Sequence, residues 1–405
     1  MHAYSYKYIA YRFAKVYLSG CSPCSKVCSF KRYPCVFFAI RATFNIFKIA
    51  TNMFNYNLKF LIIFYLFHCI AANEKNSEGS IALKISENSD NQTTMSYKIE
   101  AIPDSSAELI KGPQWDADTQ NLYMVYLTAG MLMRYDYQQN KIYRCQIEGE
   151  TLAAFIAPIA GVPDQFAVGC GRRVVIVTWD GVSETCKIDR ILFQVQTDEK
   201  FVNNRFNDGK CDPRGRLIAG TMRAIGNEFE YRHGELYKFE ANGKVTVLKT
   251  DVGISNGVAF NEKAKKFYYI DTADYEVKEY DYNYETGTIA NPKVVHDFRR
   301  TSVDDHLLPD GMTIDTDGNI YVTTYNGYTI YKINPTTGEI LLEIKFPCKQ
   351  ITSAAFGGPN MDILFVTTSA RPNEPPPAGT TFKVTGLGAK GLPTNKLKLF
   401  VPVSL

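Results

Sequence analysis

The sequence predicts an all-β chain, a six-bladed β-propeller with four short antiparallel strands per blade. Three observations carry that reading. After Thr94 the chain is a series of short alternating apolar runs broken by Asp, Asn and Gly turns; convincing amphipathic helices are scarce; and a turn-then-strand unit recurs six times. One such unit cannot bury both faces of its own small sheet, so the units must stack on one another around a central axis. A pair of packed β-sandwich sheets would not need so constant a period.

The repeated units are Asp116-Ala-Asp-Thr-Gln-Asn-Leu-Tyr-Met-Val, Asp164-Gln-Phe-Ala-Val, Asp212-Pro-Arg-Gly-Arg-Leu-Ile-Ala-Gly, Asn261-Glu-Lys-Ala-Lys-Lys-Phe-Tyr-Tyr-Ile, Asp315-Thr-Asp-Gly-Asn-Ile-Tyr-Val and Asn360-Met-Asp-Ile-Leu-Phe-Val. Their starts lie 48, 48, 49, 54 and 45 residues apart. A second strand pair often follows, as in Leu236-Tyr-Lys-Phe-Glu-Ala-Asn-Gly-Lys-Val-Thr-Val and Ile330-Tyr-Lys-Ile-Asn-Pro-Thr-Thr-Gly-Glu-Ile-Leu. Residues 95–405 therefore read as one propeller domain, with 96–102 placed to supply a strand that closes the ring with the last blade.

The chain has 405 residues, 45% hydrophobic and 21% charged. Such a composition buries a large core and excludes a disordered tail, a collagen-like chain and a small disulfide-stapled domain. Residues 1–72 carry nine Lys and Arg and no Asp or Glu; the rest holds 36 basic and 42 acidic residues, a net of −6. A mildly acidic folded part is a poor match for a nucleic-acid polyanion.

From Met53 a short basic segment ending at Lys59 precedes an apolar run, 60–70, and then Ala71-Ala72. This is the pattern of a secretory signal peptide over 53–72, with cleavage after Ala71 or Ala72. The run is too short to span a bilayer, so no membrane association is expected after its removal. Residues 1–52 read as an upstream extension outside the mature protein, and 73–94 as a polar segment carrying one glycosylation sequon at Asn91. Secretion is the expectation, and a cytoplasmic protein the alternative if the signal goes unused. Cys21-Ser-Pro-Cys24 lacks zinc-ribbon neighbours. Five cysteines remain beyond the leader, Cys145, Cys170, Cys186, Cys211 and Cys348; one or two disulfides plus a free thiol would fit, with the pairing open. The oligomeric state is likewise open.

Several chemistries find no support. The chain has no P-loop, no H-E-x-x-H and no G-x-S-x-G. Gly386-Leu-Gly388-Ala-Lys-Gly391 matches G-x-G-x-x-G, but Leu392-Pro393 follows where a helix would be needed, so the stretch reads as a loop. His233, His296 and His306 have no ligand spacing and read as surface residues.

A propeller gathers its site at one mouth of the central channel. The segments ahead of the repeated turns, read as loops, hold polar residues in one phase of the repeat: Asn203-Asn-Arg-Phe-Asn207-Asp-Gly-Lys, Ser255-Asn256-Gly257 and Leu308-Pro309-Asp310-Gly311-Met312, with Leu109-Ile-Lys111-Gly112-Pro113 ahead of the first. Taken singly each Asx-Gly pair is a turn former. Together, one carboxylate and two amide oxygens are a hard-oxygen set suited to Ca²⁺, Mg²⁺ or Mn²⁺.

These motifs, with Gly215-Arg-Leu-Ile-Ala-Gly-Thr-Met222, Phe267-Tyr-Tyr-Ile-Asp271, Tyr325-Asn-Gly327 and Phe382-Lys-Val-Thr-Gly-Leu-Gly388, resemble the family of regucalcin (senescence marker protein), gluconolactonase and luciferin-regenerating enzyme. The resemblance runs from about residue 100 to 390. It implies a hydrolase of sugar lactones that holds one divalent metal, Ca²⁺ foremost, with Zn²⁺, Mn²⁺ or Mg²⁺ as substitutes. It implies Asn256 and Asp310 as metal ligands, Asn207 beside the metal and its water or substrate, Asp310 also as the catalytic acid/base, and Arg205 against the substrate's hydroxyls. The metal would polarise the lactone carbonyl and acidify a water while a carboxylate takes its proton.

Two departures stand out. Where the family has a ligand glutamate directly before the first Gly-Pro, this chain has Lys111, with Glu108 three residues earlier. That exchange moves the site's fixed charge from −2 to 0, and each unit charge pair at 4 Å is worth roughly 4 kcal/mol at an effective dielectric of 20. The acidic residue expected after Gly-Thr-Met is also missing; the stretch reads Arg223-Ala-Ile-Gly226. Three readings follow: a metal-dependent lactonase, a ligand-binding homologue with the Lys111 ammonium in the cation's place, and a purely structural propeller.

Overall fold

The computed structural model describes residues 97–225, 231–301 and 307–400. The leader, the 53–72 signal, the 73–94 segment with Asn91, and His306 lie outside the described residues. The described residues are all-β, in six small sheets.

Blade 1 runs Ile110–Asp116, Asn121–Tyr126, Met131–Asp136 and Lys141–Ile147; blade 2 runs Ile156–Pro158, Gln165–Cys170, Arg173–Thr178 and Ile188–Gln194. Blade 3 is Asn204–Cys211, Leu217–Arg223, Gly234–Phe239 and Val245–Val252, and blade 4 is Ser255–Asn261, Lys266–Asp271, Glu276–Asn283 and Thr288–Asp297. Blade 5 is Leu308–Ile314, Ile320–Tyr325, Thr329–Ile333 and Ile340–Lys345. Blade 6 takes Gln350–Gly357, Ile363–Ser369 and Phe382–Thr385 from the end of the chain and its outermost strand, Lys98–Ala101, from the beginning. That antiparallel pairing joins the two ends and closes the ring, as expected for residues 96–102. Blade 1 departs from four strands: Thr185–Cys186, from the last connection of blade 2, pairs in parallel on its outer edge.

Each repeated turn joins the first strand of a blade to its second, and at Asp116, Asp212, Asn261 and Asp315 the leading Asx side chain accepts from the turn's own backbone. Asp212 Oδ1 accepts from the backbone N–H of Arg214 at 2.9 Å and of Arg216 at 2.8 Å; Asp315 Oδ1 accepts from Asp317 at 3.1 Å and Asn319 at 2.8 Å. A short side-chain acceptor satisfies turn donors that no ladder reaches, which is why Asp and Asn mark the period.

The period-2 pattern is buried on both faces. In blade 1, Leu122 and Met124 pack towards blade 6 with Ile363 and Phe365, while Tyr123 and Val125 pack towards blade 2 with Phe166 and Val168. The same division repeats at every junction, so six apolar clusters, one between each pair of neighbouring blades, make up the described core. Sheets covered on both faces read as near-continuous apolar runs, as Ile363–Ser369 does.

All five described cysteines are free thiols and all are buried. No disulfide joins them in this structure: Cys211 packs between blades 2 and 3 and Cys348 between blades 5 and 6, each alone as a small apolar residue. Cys145, Cys170 and Cys186 share the cluster between blades 1 and 2. The 386–391 stretch is a loop, with Gly386 and Gly388 at φ 81° and 63° and no helix over 392–400. Its continuation crosses from Asp315, beside Gly391, to Ile159, beside Leu397.

Candidate functional site

The innermost strands of blades 1, 3, 4 and 5 carry the polar residues that the sequence placed in loops ahead of the turns. Lys111 lies in Ile110–Asp116, Arg205 and Asn207 in Asn204–Cys211, Asn256 in Ser255–Asn261 and Asp310 in Leu308–Ile314. These segments read as loops because each breaks its ladder at the functional residue. Pairing slips between Lys111 and Gln114, Phe206 and Asp208, Ser255 and Val258, and Pro309 and Met312. A bulge of this kind re-aims a side chain out of the alternation of the strand. Here it turns Asn207, Asn256 and Asp310 towards one another across the channel.

The glycines beside them are there for clearance. A Cβ on Gly257 would stand 2.9 Å from the carbonyl oxygen of Asp310, so the inner strands of blades 4 and 5 approach this closely only without one. Gly112 adopts φ +60° and abuts the backbone of Phe155.

The convergence is tight. Lys111 Nζ donates to Asp310 Oδ1 at 2.7 Å and to Asn256 Oδ1 at 2.8 Å. The two charged side chains are only 5% and 8% exposed. Asn207 Nδ2 donates to the same Asn256 Oδ1 at 2.9 Å and to the Ser255 carbonyl at 2.8 Å. Its own Oδ1 accepts from the Arg205 guanidinium at 2.8 Å. Asn256 Nδ2 donates at 2.7 Å to Thr272 Oγ1, which donates at 2.7 Å to the Pro309 carbonyl. These bonds fix which end of each amide is oxygen. Burial raises the Asp310 carboxyl, against the pull of Lys111, to about 6.

A divalent cation does not fit this donor set as it stands. Ca²⁺ takes six to eight oxygens at about 2.3–2.6 Å, yet the two oxygens that converge, on Asn256 and Asp310, already face one ammonium. The third expected oxygen, on Asn207, is turned to Arg205. Among the described residues no cluster of three or more His, Cys, Asp or Glu side chains is placed to hold a metal. Glu108 does not stand in: it is half-exposed, accepts from Thr128 Oγ1 at 2.8 Å and pairs with Arg371 at 3.2 Å. Arg223 ends its strand with Nε on the Ile225 carbonyl at 2.7 Å and its guanidinium over the Tyr231 ring. His296 is spent on the Gly338 carbonyl and Thr301 Oγ1.

Sequence reasoning missed Thr272, which orients Asn256 and ties blade 4 to blade 5. It directly follows the Phe267–Asp271 motif, and the only available signal was a hydroxyl at a strand end. Asp208, buried beside Asn207, was missed too; its charge adds to the rise at Asp310.

With the ring closed and its polar residues converging at one end, comparison with known proteins decides the family. Residues 109–370 match the model of the SMP-30/gluconolactonase/LRE-like region. The chain belongs to this family. Regucalcin of Sus scrofa is 33% identical over 306 residues, covering 74% of this chain and 97% of its own. Among solved structures, a luciferin-regenerating enzyme is 37% identical with a TM-score of 0.70, covering 75% of this chain and 100% of its own. A calcium-binding regucalcin from Agrobacterium tumefaciens, at 21% identity and a TM-score of 0.63 over 74% and 97%, shares the fold. The family includes gluconolactonases, acts on sugar lactones, and has members that bind divalent metals such as Ca²⁺.

Proposed function

We propose that this protein binds a sugar lactone, or the hydroxy acid to which it opens, at a site whose cation is the Lys111 ammonium, and that metal-dependent hydrolysis has been lost. The observation that carries the reading is the Lys111 ammonium in hydrogen-bond contact with both Asp310 and Asn256. In the family pattern a glutamate precedes the first Gly-Pro and completes a cation site; here a buried positive charge occupies that position. The sugar-lactone class comes from the family. Two of the three ammonium N–H donors are committed to Asn256 and Asp310, and the third is assigned to the ligand's carbonyl oxygen. Arg205 is assigned to the ligand's hydroxyls. Asp310, engaged by Lys111, is not a free base for a water.

A metal-dependent lactonase is the second reading, favoured by the convergence of Asn207, Asn256, Asp310 and Arg205 at one mouth. The two separate in one experiment. Glucono-δ-lactone hydrolysis is followed with the purified protein in Ca²⁺, Mn²⁺ or Zn²⁺ and again in EDTA, with calorimetric binding of gluconate in parallel. The expected result is no turnover above the spontaneous rate in any metal, gluconate binding in EDTA, and metal-stimulated hydrolysis on Lys111→Glu. Metal-dependent turnover by the parent would sink the binding reading.

A further inference from the structure

Three of the buried thiols sit in one cluster, and two of them lie on adjoining strands. Cys145 faces inward from Lys141–Ile147, the fourth strand of blade 1. Cys186 belongs to the two-residue strand that blade 2 lays along that edge in parallel, level with Ile147. Gln146 N–H donates to the Glu184 carbonyl at 2.8 Å and Glu148 N–H to the Cys186 carbonyl at 2.9 Å, which holds the added strand in register. Cys145 and Ile147 are buried on the same side of their strand, so a residue level with Ile147 and facing inward meets the Cys145 side chain diagonally. The two thiols interact, Cys186 raising Cys145 and Cys145 lowering Cys186.

We propose that Cys145 and Cys186 are an oxidisable dithiol that closes to a disulfide, bolting the outer edge of blade 1 to the connection from blade 2. Cys186 is the attacking sulfur: it lies on the short edge strand, and its interaction with Cys145 favours its thiolate against burial and the nearby Asp189 and Glu148. The same interaction raises the Cys145 thiol. A low-molecular-weight disulfide such as glutathione disulfide is the oxidant. The Cys186 thiolate attacks one of its sulfurs and expels one thiol, leaving a mixed disulfide. Cys145 then loses its proton, attacks the Cys186 sulfur and expels the second thiol. Two protein thiols are oxidised and one donor disulfide is reduced to two thiols.

Access comes through the shortness of the strand. Cys186 is 7% exposed and lies in a strand of two residues on the outer edge of blade 1. Terminal pairings of this kind open at a small fraction of the free energy of global unfolding. Cys170 lies in the same cluster but within the blade 2 ladder, where burial pushes its thiol up and the pairing on both sides holds it in place.

The test uses the full chain, reduced, freed of reductant and incubated with glutathione disulfide, then denatured and alkylated. Digestion with trypsin and a Glu-specific protease cuts at Glu148 and Glu150 and so separates Cys145 from Cys170. Non-reducing mass mapping is expected to find the Cys145 and Cys186 peptides joined, and Cys170→Ser to form the same link. Cys145→Ser is expected to accumulate the glutathione mixed disulfide on Cys186, and Cys186→Ser to leave Cys145 free. A Cys170–Cys186 link, or full alkylation of both Cys145 and Cys186 after incubation, would overturn the proposal.

Discussion

Lys111 and Asp310, 199 positions apart in sequence, meet with the ammonium 2.7 Å from the carboxylate at the end of the channel. Neither has more than a sliver of its side chain in water. A pair so enclosed is held by the mutual satisfaction of its charges, and removing one leaves the other stranded.

Lys111→Met is therefore expected to destabilise the protein by about 3–5 kcal/mol at neutral pH, the usual cost of breaking a buried ion pair from one side. The double variant Lys111→Met/Asp310→Asn should recover a substantial part of that loss. Urea unfolding of the parent, both singles and the double closes the cycle; simple additivity would mean that the two residues do not interact.

The raised carboxyl of Asp310 gives a pH dependence of definite sign. It rises from 3.8 to about 6 on folding, so between those values the native state binds the proton that the unfolded state releases. Stability from this group therefore increases as pH falls through 6 towards 4, by about 3 kcal/mol in all at 1.36 kcal/mol per pKa unit. Asp310→Asn should abolish that slope. Denaturant unfolding at several pH values, compared between parent and variant, reads it directly.

Asp212 ties a repeated turn to two neighbours. Besides its turn donors it pairs with Arg216 Nε at 2.9 Å and accepts from Tyr282 Oη of blade 4 at 2.8 Å, all buried. Asp212→Ala should cost about 3–5 kcal/mol, because it leaves a buried guanidinium uncompensated. Asp317→Ala, whose side chain is not the turn acceptor, should stay within about 0.5 kcal/mol. Thermal unfolding of the two variants makes the comparison.

The reading of 53–72 as a signal predicts a secreted form beginning at Ala72 or Asn73, with a glycan on Asn91. N-terminal sequencing of protein recovered from culture medium, before and after glycosidase treatment, checks both features. Material found only in the cytosol, with the leader retained, would refute it.

Much of the ring was legible because its causes are local. Asp116, Asp212 and Asp315 mark turns through bonds to donors two to four residues away, and alternating apolar runs mark strands whichever partner they find. The inner strands were misread as loops for a related reason. Gly112-Pro113, Asn256-Gly257 and Asp310-Gly311 are turn chemistry when read locally, and only pairing with the second strand of each blade makes them bulges. The Thr185–Cys186 strand had no sequence signal at all, since two residues hold no period.

The sequence by itself determined the number of blades, the closing strand, the family resemblance and which polar residues share one phase of the repeat. Each of these follows from short-range pattern and from its recurrence. Tertiary structure alone decided what those residues do to one another. It set the Lys111 ammonium between Asp310 and Asn256, sent Glu108 out to Arg371, and gathered Cys145, Cys170 and Cys186 in one cluster while leaving Cys211 and Cys348 in others. The physical reason is that charge, desolvation and thiol contact depend on distances of a few ångströms. In a closed ring those distances are fixed by blades packed far apart in sequence, not by spacing along the chain.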